Sequence, residues 1–324
     1  MKMTAAETIK SLRRTKTGIL ACDESPKSMA KRFSRAGIYI KHDTRKQYFE
    51  MLLGGEDISS YISGIILYED ILTENAYEAI RKSLSEQGIL LGVRADQGGS
   101  LLACEYHNEF TRGLDSLRDR LDLYKSNGAS FVKWRASYST DPSPLTRVNI
   151  NLNSLLLSAF ARQALEVGLV PIVEVEVLYE GNHDIEGCLS TTTEALESLF
   201  ASLDSLQVDV NNLILKVNYI TPGSSNNKKF DMEEISKKTI LLLNSAVPKN
   251  IGLVVFLSGG LDSEVALEIL TCLTKCGSQA KLTYSFGRAF WQVPLNVWGG
   301  KEENVFEARE ELIAKLFKAS EAVL

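Results

Sequence analysis

The feature that most constrains the fold is an eightfold alternation of a short β-branched apolar run with a longer segment of helical periodicity. Several runs are continuously apolar, which is typical of parallel strands that helices cover on both faces. Eight units in 324 residues allow about 40 residues each, which fits a (β/α)8 barrel, whereas the competing doubly wound sheet usually stops at five or six strands. The predicted strands are Gly18–Cys22, Ile62–Glu69, Ile89–Asp96, Phe131–Tyr138, Leu169–Leu178, Leu213–Ile220, Gly252–Gly260 and Leu282–Gly287.

The segments between the strands have apolar residues at helical spacing, and a last amphipathic stretch follows the eighth strand. No shift in composition marks a linker, and the polar stretch 223–229 is best interpreted as a loop between a strand and a helix. We therefore predict one α/β domain over residues 1–324, a TIM barrel with a C-terminal helical extension. Examples of the predicted helices are Asp70–Gln87, Leu114–Asn127, Leu152–Glu166, Thr192–Leu206, Met232–Ser245 and Asp262–Lys275, and the last amphipathic stretch is Glu302–Val323.

Charge and composition exclude several classes of protein. The net charge is −5 and the 36 basic residues are scattered, so we expect neither nucleic acid nor an anionic membrane as a partner. No apolar run reaches the roughly 18 residues of a membrane span, and the N-terminus lacks the apolar core of a secretion signal. The five cysteines include no CxxC pair, which favours reduced thiols in a cytoplasmic protein.

Charged residues recur near the carboxyl ends of six predicted strands, where the active site of a barrel enzyme lies. Because side chains two apart on a strand share a face, Lys133 points with Arg135, and Glu174 points with Glu176. If both faces are inward, these groups meet near the barrel axis. The alternative is a buried ion-pair network without chemistry, but buried ion pairs rarely repay their desolvation. We therefore expect a lined catalytic cavity.

Lys216 is the strongest candidate for a nucleophile, because it lies within the apolar strand around Leu215. Burial and the second cation Lys133 would both lower its pKa, and an uncharged lysine can form a Schiff base with a carbonyl. The alternative is a lysine whose ammonium reaches solvent at the strand end. Glu174 could supply acid and base catalysis, although burial raises its pKa while the lysines lower it. Asp23 could hold a substrate hydroxyl.

Two glycine-containing loops predict a phosphate site. The seventh predicted strand ends in Ser258-Gly259-Gly260 and the eighth in Gly287-Arg288, where barrel enzymes often bind phosphate with backbone N–H groups and a helix N-terminus. Arg288 adds charge and a forked set of donors. The three histidines lack metal-ligand spacing, and the chain contains neither a Walker loop nor GxGxxG. We therefore predict no metal and no cofactor.

Eight motifs, taken in chain order, carry a family resemblance. They are Gly18–Ser25, Ala30–Arg32, Lys133–Arg135, Pro171–Glu176, Leu215–Asn218, Leu257–Gly260, Gly287–Ala289 and Trp298–Lys301. With them the chain resembles the class I, Schiff-base fructose-bisphosphate aldolases over essentially its whole length. The resemblance implies reversible cleavage of fructose 1,6-bisphosphate to dihydroxyacetone phosphate and glyceraldehyde 3-phosphate, without metal, by a homotetramer. An aldolase for a related ketose phosphate, such as tagatose 1,6-bisphosphate, and a non-catalytic scaffold of the same fold are the alternatives.

The resemblance also implies a role for each candidate residue. Lys216 matches the Schiff-base lysine, Glu174 the acid/base glutamate and Glu176 its carboxylate neighbour. Lys133 matches the lysine that assists carbinolamine formation and dehydration, and Asp23 the aspartate that orients the substrate near its C3 and C4 hydroxyls. The matches to the C1-phosphate site are Ser258, Gly259 and Arg288, and those around the C6-phosphate end are Ser25, Ser28, Arg32 and Arg135.

Some positions depart from the family pattern. Arg94 stands where a lysine is expected on the third strand; it keeps the charge but cannot donate a proton at neutral pH. Val217 replaces the usual proline after the Schiff-base lysine, and Val175 the usual proline between the two glutamates. Pro26-Lys27 replaces a Thr-Gly pair after Ser25, which predicts a different shape at the C6-phosphate end.

Overall fold

Eight parallel strands form a barrel in the computed structural model, which describes residues 3–55, 58–103, 108–141, 143–227 and 231–323. The strands of the described chain are β1 (Gly18–Cys22), β2 (Ile62–Leu67), β3 (Leu90–Arg94), β4 (Gly99–Leu101), β5 (Glu109–Thr111), β6 (Phe131–Tyr138), β7 (Val170–Val177), β8 (Ile214–Val217), β9 (Leu253–Phe256) and β10 (Leu282–Tyr284). Strands β4 and β5 form a separate antiparallel hairpin, and the others pair in chain order. The Ala21 N–H donates to the Phe286 carbonyl at 2.9 Å where the last unit returns to β1. The predicted barrel is confirmed, and the doubly wound sheet is excluded.

Helices surround the barrel and follow its strands. Within the described ranges they are α1 (Ala5–Leu12), α2 (Pro26–Arg35), α3 (Thr44–Leu53), α4 (Glu69–Thr73), α5 (Glu78–Glu86), α6 (Leu117–Ser126), α7 (Thr146–Val167), α8 (Ile185–Ser205), α9 (Met232–Ala246), α10 (Ser263–Lys275), α11 (Arg288–Trp298) and α12 (Val305–Glu321), with 3₁₀ turns at Asn75–Tyr77, Val210–Asn212 and Glu302–Asn304. None of these helices has both the length and the apolarity needed to cross a membrane.

The sequence predicted one helix over Asp70–Gln87, but the structure divides it. Glu74 has extended backbone angles (φ −83°, ψ 139°) between α4 and the 3₁₀ turn that precedes α5. The Arg81 guanidinium donates to the carbonyls of Ile71 and Glu74, both at 2.8 Å, and so satisfies backbone acceptors that the break leaves free. Helices α1, α2, α3 and α11 were not named from the sequence. The first three have ten residues or fewer, which gives few turns over which to recognise a period, and Pro294 interrupts the pattern of α11.

The core consists of two apolar layers, one on each side of the sheet. The outer layer lies between strands and helices, where Trp134 of β6 packs on Phe160 of α7 with 5.4 Å between ring centroids. The inner layer fills the amino-terminal half of the barrel, which α1 covers with Ile9 and Leu12. The polar residues of the strands are therefore left for the carboxyl-terminal half. The strand residues of the inner layer are Ile19, Ala21, Ile66, Phe131, Val170, Ile172, Ile214, Leu253 and Val255.

Gly92 of β3 is required by the inner layer. A Cβ atom at this position would lie inside van der Waals contact of the Phe131 ring. We expect Gly92→Ala to lower the free energy of unfolding by about 1–3 kcal/mol, the usual effect of overpacking a core. Chemical denaturation measures the loss. The control is Gly187→Ala in the first turn of α8, where an added Cβ makes ordinary contacts no closer than 3.4 Å; equal stability of both variants would contradict this account of the core.

Candidate active site

The fourteen candidate residues all line one cavity of about 430 Å³, which opens where the barrel strands end. The structure brings them together, while the role of each remains a prediction. They are Asp23, Ser25, Ser28, Arg32, Arg94, Lys133, Arg135, Glu174, Glu176, Lys216, Ser258, Gly259, Gly287 and Arg288.

Lys216 lies at the centre of a buried cluster of charges. Strand pairing places Glu174 of β7 beside Lys216 of β8, and its Oε1 is 3.1 Å from Lys216 Nζ. The other oxygen, Oε2, is 3.0 Å from Lys133 Nζ, which also lies 2.6 Å from Asp23 Oδ2. The Lys216, Glu174 and Lys133 side chains are each no more than 5% exposed. Two amines and two carboxylates therefore alternate across the barrel.

The neighbours of each group in this cluster decide its protonation. Burial alone would raise the pKa of Glu174, but the amino groups of Lys133 and Lys216 outweigh it and hold that pKa below its ordinary value. The pKa of Asp23 is lowered in the same way, with burial opposed by Lys133 and Lys216. Burial would lower the pKa of Lys133, but Asp23 and Glu174 raise it instead. At neutral pH the site thus contains two carboxylates around an ammonium.

A second layer of ion pairs surrounds the cluster. Arg135 is paired with Glu176 through its Nε, and Arg94 contacts Asp96 Oδ1 through Nε at 2.7 Å and Nη2 at 2.6 Å. Asp96 Oδ2 accepts the Arg135 backbone N–H at 3.2 Å and lies 4.0 Å from Lys133 Nζ. Arg94 therefore acts on the centre through Asp96. This carboxylate was not a candidate, although its position two residues after Arg94, hence on the same face, is a signal that points to it.

The predicted phosphate loops lie on one side of the cavity. Gly259 has φ +56°, a backbone conformation that favours glycine, and the Leu261 N–H closes the turn on the Ser258 carbonyl at 2.9 Å. Gly287 precedes the first turn of α11, which begins at Arg288, so backbone N–H groups and a helix N-terminus face this end of the cavity. The buried Ser285 hydroxyl has no hydrogen-bond partner in the described chain and lines the same cavity. We add Ser285 to the candidate residues.

The other predicted phosphate residues lie mainly at a second end of the cavity, which is built on α2. Ser25 is the N-cap of this helix and accepts the Ser28 N–H at 3.3 Å, and the two hydroxyls are 3.1 Å apart. One helical turn later, Arg32 binds Glu24 with its Nε 2.6 and 2.7 Å from the two carboxylate oxygens. The sequence placed Glu24 at a strand end without assigning it a role. The cation at this end is therefore neutralised by a carboxylate.

Among the described residues, no group of three or more histidines, cysteines and acids is arranged to hold a metal ion. His107 lies outside the described ranges. The cavity instead presents a buried amine next to acid and base groups, with two groups of potential phosphate donors in its lining. Such an arrangement can hold an extended substrate by two anionic groups and expose a carbonyl in its middle to the amine.

Comparisons with known proteins agree with this geometry. A family model described as "Glycolytic: Fructose-bisphosphate aldolase class-I" matches residues 4–324. The chain is 37% identical to cytosolic fructose-bisphosphate aldolase 4 of Arabidopsis thaliana over 311 residues, which are 95% of this chain and 79% of that protein. It is 33% identical to fructose-bisphosphate aldolase B of Bos taurus, in an alignment that covers 99% of this chain and 90% of the relative.

A solved structure is similar in three dimensions. It is a fructose-bisphosphate aldolase from Plasmodium falciparum, in a ternary complex with TRAP and a small molecule inhibitor. The two chains superimpose with a TM-score of 0.93 at 33% identity, over 98% of this chain and 93% of the other.

Proposed function

We propose that this chain, which belongs to the class-I fructose-bisphosphate aldolase family, catalyses the reversible aldol cleavage of fructose 1,6-bisphosphate. The reaction proceeds through a Schiff base on Lys216. The products are dihydroxyacetone phosphate and glyceraldehyde 3-phosphate. The observation that carries the assignment is the buried Lys216 amine, 3.1 Å from the Glu174 carboxylate, in a cavity that two groups of candidate phosphate donors line.

Formation of the Schiff base needs a proton acceptor and a proton donor next to the amine. The uncharged Lys216 nitrogen attacks the C2 ketone, and ionised Glu174 takes the proton that the nitrogen loses. The ammonium of Lys133, 3.0 Å from Glu174, donates a proton to the oxygen, which becomes the carbinolamine hydroxyl, and Lys133 regains a proton when the product iminium is hydrolysed at the end of the cycle. Glu174 then returns its proton to that hydroxyl, water leaves, and the C2 carbon is bonded to Lys216 as an iminium.

The iminium makes carbon–carbon cleavage possible because it accepts the electron pair of the bond that breaks. Glu174, ionised again after the water leaves, takes the proton of the C4 hydroxyl. The C3–C4 bond breaks, and its electron pair moves to the iminium to give an enamine while glyceraldehyde 3-phosphate departs. Asp23, held by Lys133 at 2.6 Å, orients the C3 and C4 hydroxyls. Glu174 returns its proton to C3 of the enamine, and hydrolysis of the resulting iminium releases dihydroxyacetone phosphate and restores the lysine.

The two ends of the cavity set the register of the substrate. Ser258, Gly259 and Arg288, with Gly287 at the start of α11, bind the C1 phosphate. The α2 end binds the C6 phosphate through Ser25, Ser28, Arg32 and Arg135. Arginine and helix N-termini are suited to phosphate because they offer forked donors and aligned N–H groups. Anchoring both phosphates holds C2 against Lys216.

The proposal extends to assembly and compartment. We propose a homotetramer in the cytoplasm. The family resemblance supports the assembly, and a relative whose name includes "cytosolic" supports the compartment. Light scattering of the purified protein checks the assembly: a mass near four times the 35.9 kDa chain is expected, and a monomer would contradict it.

Chemical trapping tests the assignment directly. Borohydride reduction in the presence of dihydroxyacetone phosphate should attach the reduced three-carbon unit to Lys216, since only a lysine iminium is converted into a stable amine. Peptide mass mapping locates the adduct. A variant with the exposed Lys31 replaced by methionine should be labelled as the wild type is, and Lys216→Met should not. An adduct on another lysine, or none, would refute the mechanism.

A further inference from the structure

The distal arginine of the cavity is paired before any substrate arrives. Arg32 contacts both oxygens of Glu24 through Nε, at 2.6 and 2.7 Å, and each side chain is 19% exposed. Arg32 Nη1 is turned toward Gln292 Oε1 at 3.5 Å, so a phosphate that binds Arg32 as a forked partner through Nε and Nη2 displaces the Glu24 carboxylate. A carboxylate displaced from an arginine in a largely buried place needs a new donor, because an unsatisfied buried charge is costly.

A spare donor lies beside Glu24, on the side away from the substrate cavity. The Tyr48 hydroxyl of α3 is buried and has no hydrogen-bond partner in the described part of the chain. Tyr48 and Glu24 line the same small cavity of about 10 Å³, together with Cys22, Met29 and Trp291. Burial raises the pKa of Tyr48 well above its ordinary value, so at neutral pH the hydroxyl keeps its proton and can donate it.

The surroundings favour this partner over the others. Arg288 attracts the Glu24 carboxylate, but it lines the substrate cavity and binds a substrate phosphate in the proposed function. Asp23 lies on the substrate side and repels the Glu24 carboxylate. Tyr48 and Arg32 flank Trp291, with ring centroids of Tyr48 and Trp291 6.5 Å apart and the Arg32 guanidinium 5.2 Å from the Trp291 ring. The arginine, the tryptophan and the tyrosine therefore form one packed unit, and Glu24 lines the cavity that borders it.

We propose that Glu24 exchanges Arg32 for Tyr48 when a phosphate binds at the α2 end of the cavity, which makes Tyr48 a specificity-determining residue for substrates that carry a second phosphate. This inference rests on the proposed function, because the distal phosphate belongs to that substrate. In the free protein, Glu24 neutralises Arg32. In the complex, the phosphate takes the arginine and the Tyr48 hydroxyl donates to Glu24, so neither anion is left without a donor.

Kinetics with two substrates test the exchange. Tyr48→Phe should raise the KM for fructose 1,6-bisphosphate about tenfold, the low end of what a hydrogen bond to a charged group contributes. It should change the KM for fructose 1-phosphate, which lacks the distal phosphate, less than twofold. Glu24→Ala should act in the opposite direction and lower the KM for the bisphosphate, because Arg32 is then free. In the Glu24→Ala background, Tyr48→Phe should have no further effect.

The control is Tyr138→Phe, which alters a fully buried tyrosine that lines neither cavity and should leave both KM values unchanged. Equal changes of both KM values in Tyr48→Phe, no change in either, or an effect that persists without Glu24 would each overturn the exchange.

Phosphate binding separates this inference from the proposed function. If the wild type cleaves neither substrate, the proposed function is wrong. Titration calorimetry with inorganic phosphate then tests the exchange without any need for catalysis. Tyr48→Phe should then weaken phosphate binding about tenfold when Glu24 is present and leave it unchanged in Glu24→Ala. Unaltered phosphate binding in Tyr48→Phe would overturn the exchange as well.

Discussion

Replacing Lys216 with methionine is expected to reduce kcat for cleavage of fructose 1,6-bisphosphate by roughly 10⁴- to 10⁶-fold, the range found when an enzyme loses its covalent nucleophile. Methionine fills a similar volume but has no nitrogen to attack the ketone. The fold should survive, because Glu174 keeps Lys133 as a partner at 3.0 Å. A coupled assay for glyceraldehyde 3-phosphate measures the rate.

Lys216→Arg is the matched comparison. It retains a cation beside Glu174 but offers no free amine, so it should be as inactive as the methionine variant. Thermal unfolding near the wild-type temperature would show that both variants are folded. Activity of either variant within tenfold of the wild type would mean that another residue carries the covalent step, and the mechanism proposed above would be wrong.

Replacing Lys133 with methionine should have the largest effect on stability, about 3–5 kcal/mol at pH 7, because it leaves buried charges without their partner. Asp23 loses an ion pair at 2.6 Å, and Glu174 keeps only Lys216. Cleavage should also slow by about 10²- to 10⁴-fold, the usual contribution of a group that takes part in proton transfer. Denaturant unfolding and steady-state kinetics measure the two effects.

The pH dependence of this loss has a defined sign. The pKa values of Asp23 and Glu174 in the folded protein are held below their ordinary values of 3.8 and 4.5. Their ionised forms therefore stabilise the folded state above those ordinary values, and this stabilisation is lost as pH falls through the lower, folded-state pKa values. The pKa of Lys133 is raised above 10.5, so its contribution is present below pH 10.5 and is lost as pH rises through the raised value. The difference in the free energy of unfolding between the wild type and Lys133→Met should therefore become smaller as the pH falls below about 4.5.

Lys133→Arg keeps the charge and should restore most of the stability but little of the activity, because its forked guanidinium does not place a single ammonium between two carboxylates. A stability gap that stays constant from pH 7 to pH 3.5 would contradict the ionic account of the cluster.

Many residues of the candidate site could be predicted because alternate side chains of a strand point to the same face of the sheet. Lys133 and Arg135, like Glu174 and Glu176, alternate with apolar residues and point into the barrel, as expected from a period of two. Periodicity does not say which cation meets which carboxylate. In the structure Arg135 pairs with Glu176, and Lys133 pairs with Asp23 and Glu174. The register between the strands and the closure of the barrel set the distances between these groups.

The residues that sequence reasoning missed are marked by contacts and burial that the fold creates. Asp96 accepts hydrogen bonds from both the Arg94 guanidinium and the Arg135 backbone N–H. Ser285 and Tyr48 stand out only as buried hydroxyls without a hydrogen-bond partner in the described chain. An isolated serine or tyrosine in a sequence carries no such mark, since hydrogen-bond satisfaction is a property of the folded environment.

The order of apolar and polar residues determined by itself that this chain forms eight strand–helix units, that its chemistry lies where the strands end, and that a lysine in an apolar strand is its nucleophile candidate. These follow from local periodicity and from the cost of burying charge, which belong to single segments. Which ion pairs form, how the pKa of Glu174 shifts and which carboxylate occupies Arg32 were decided only by the tertiary structure. Each depends on distances of a few ångströms between groups that the chain separates by many residues, and electrostatic energy at that range varies steeply with distance and burial.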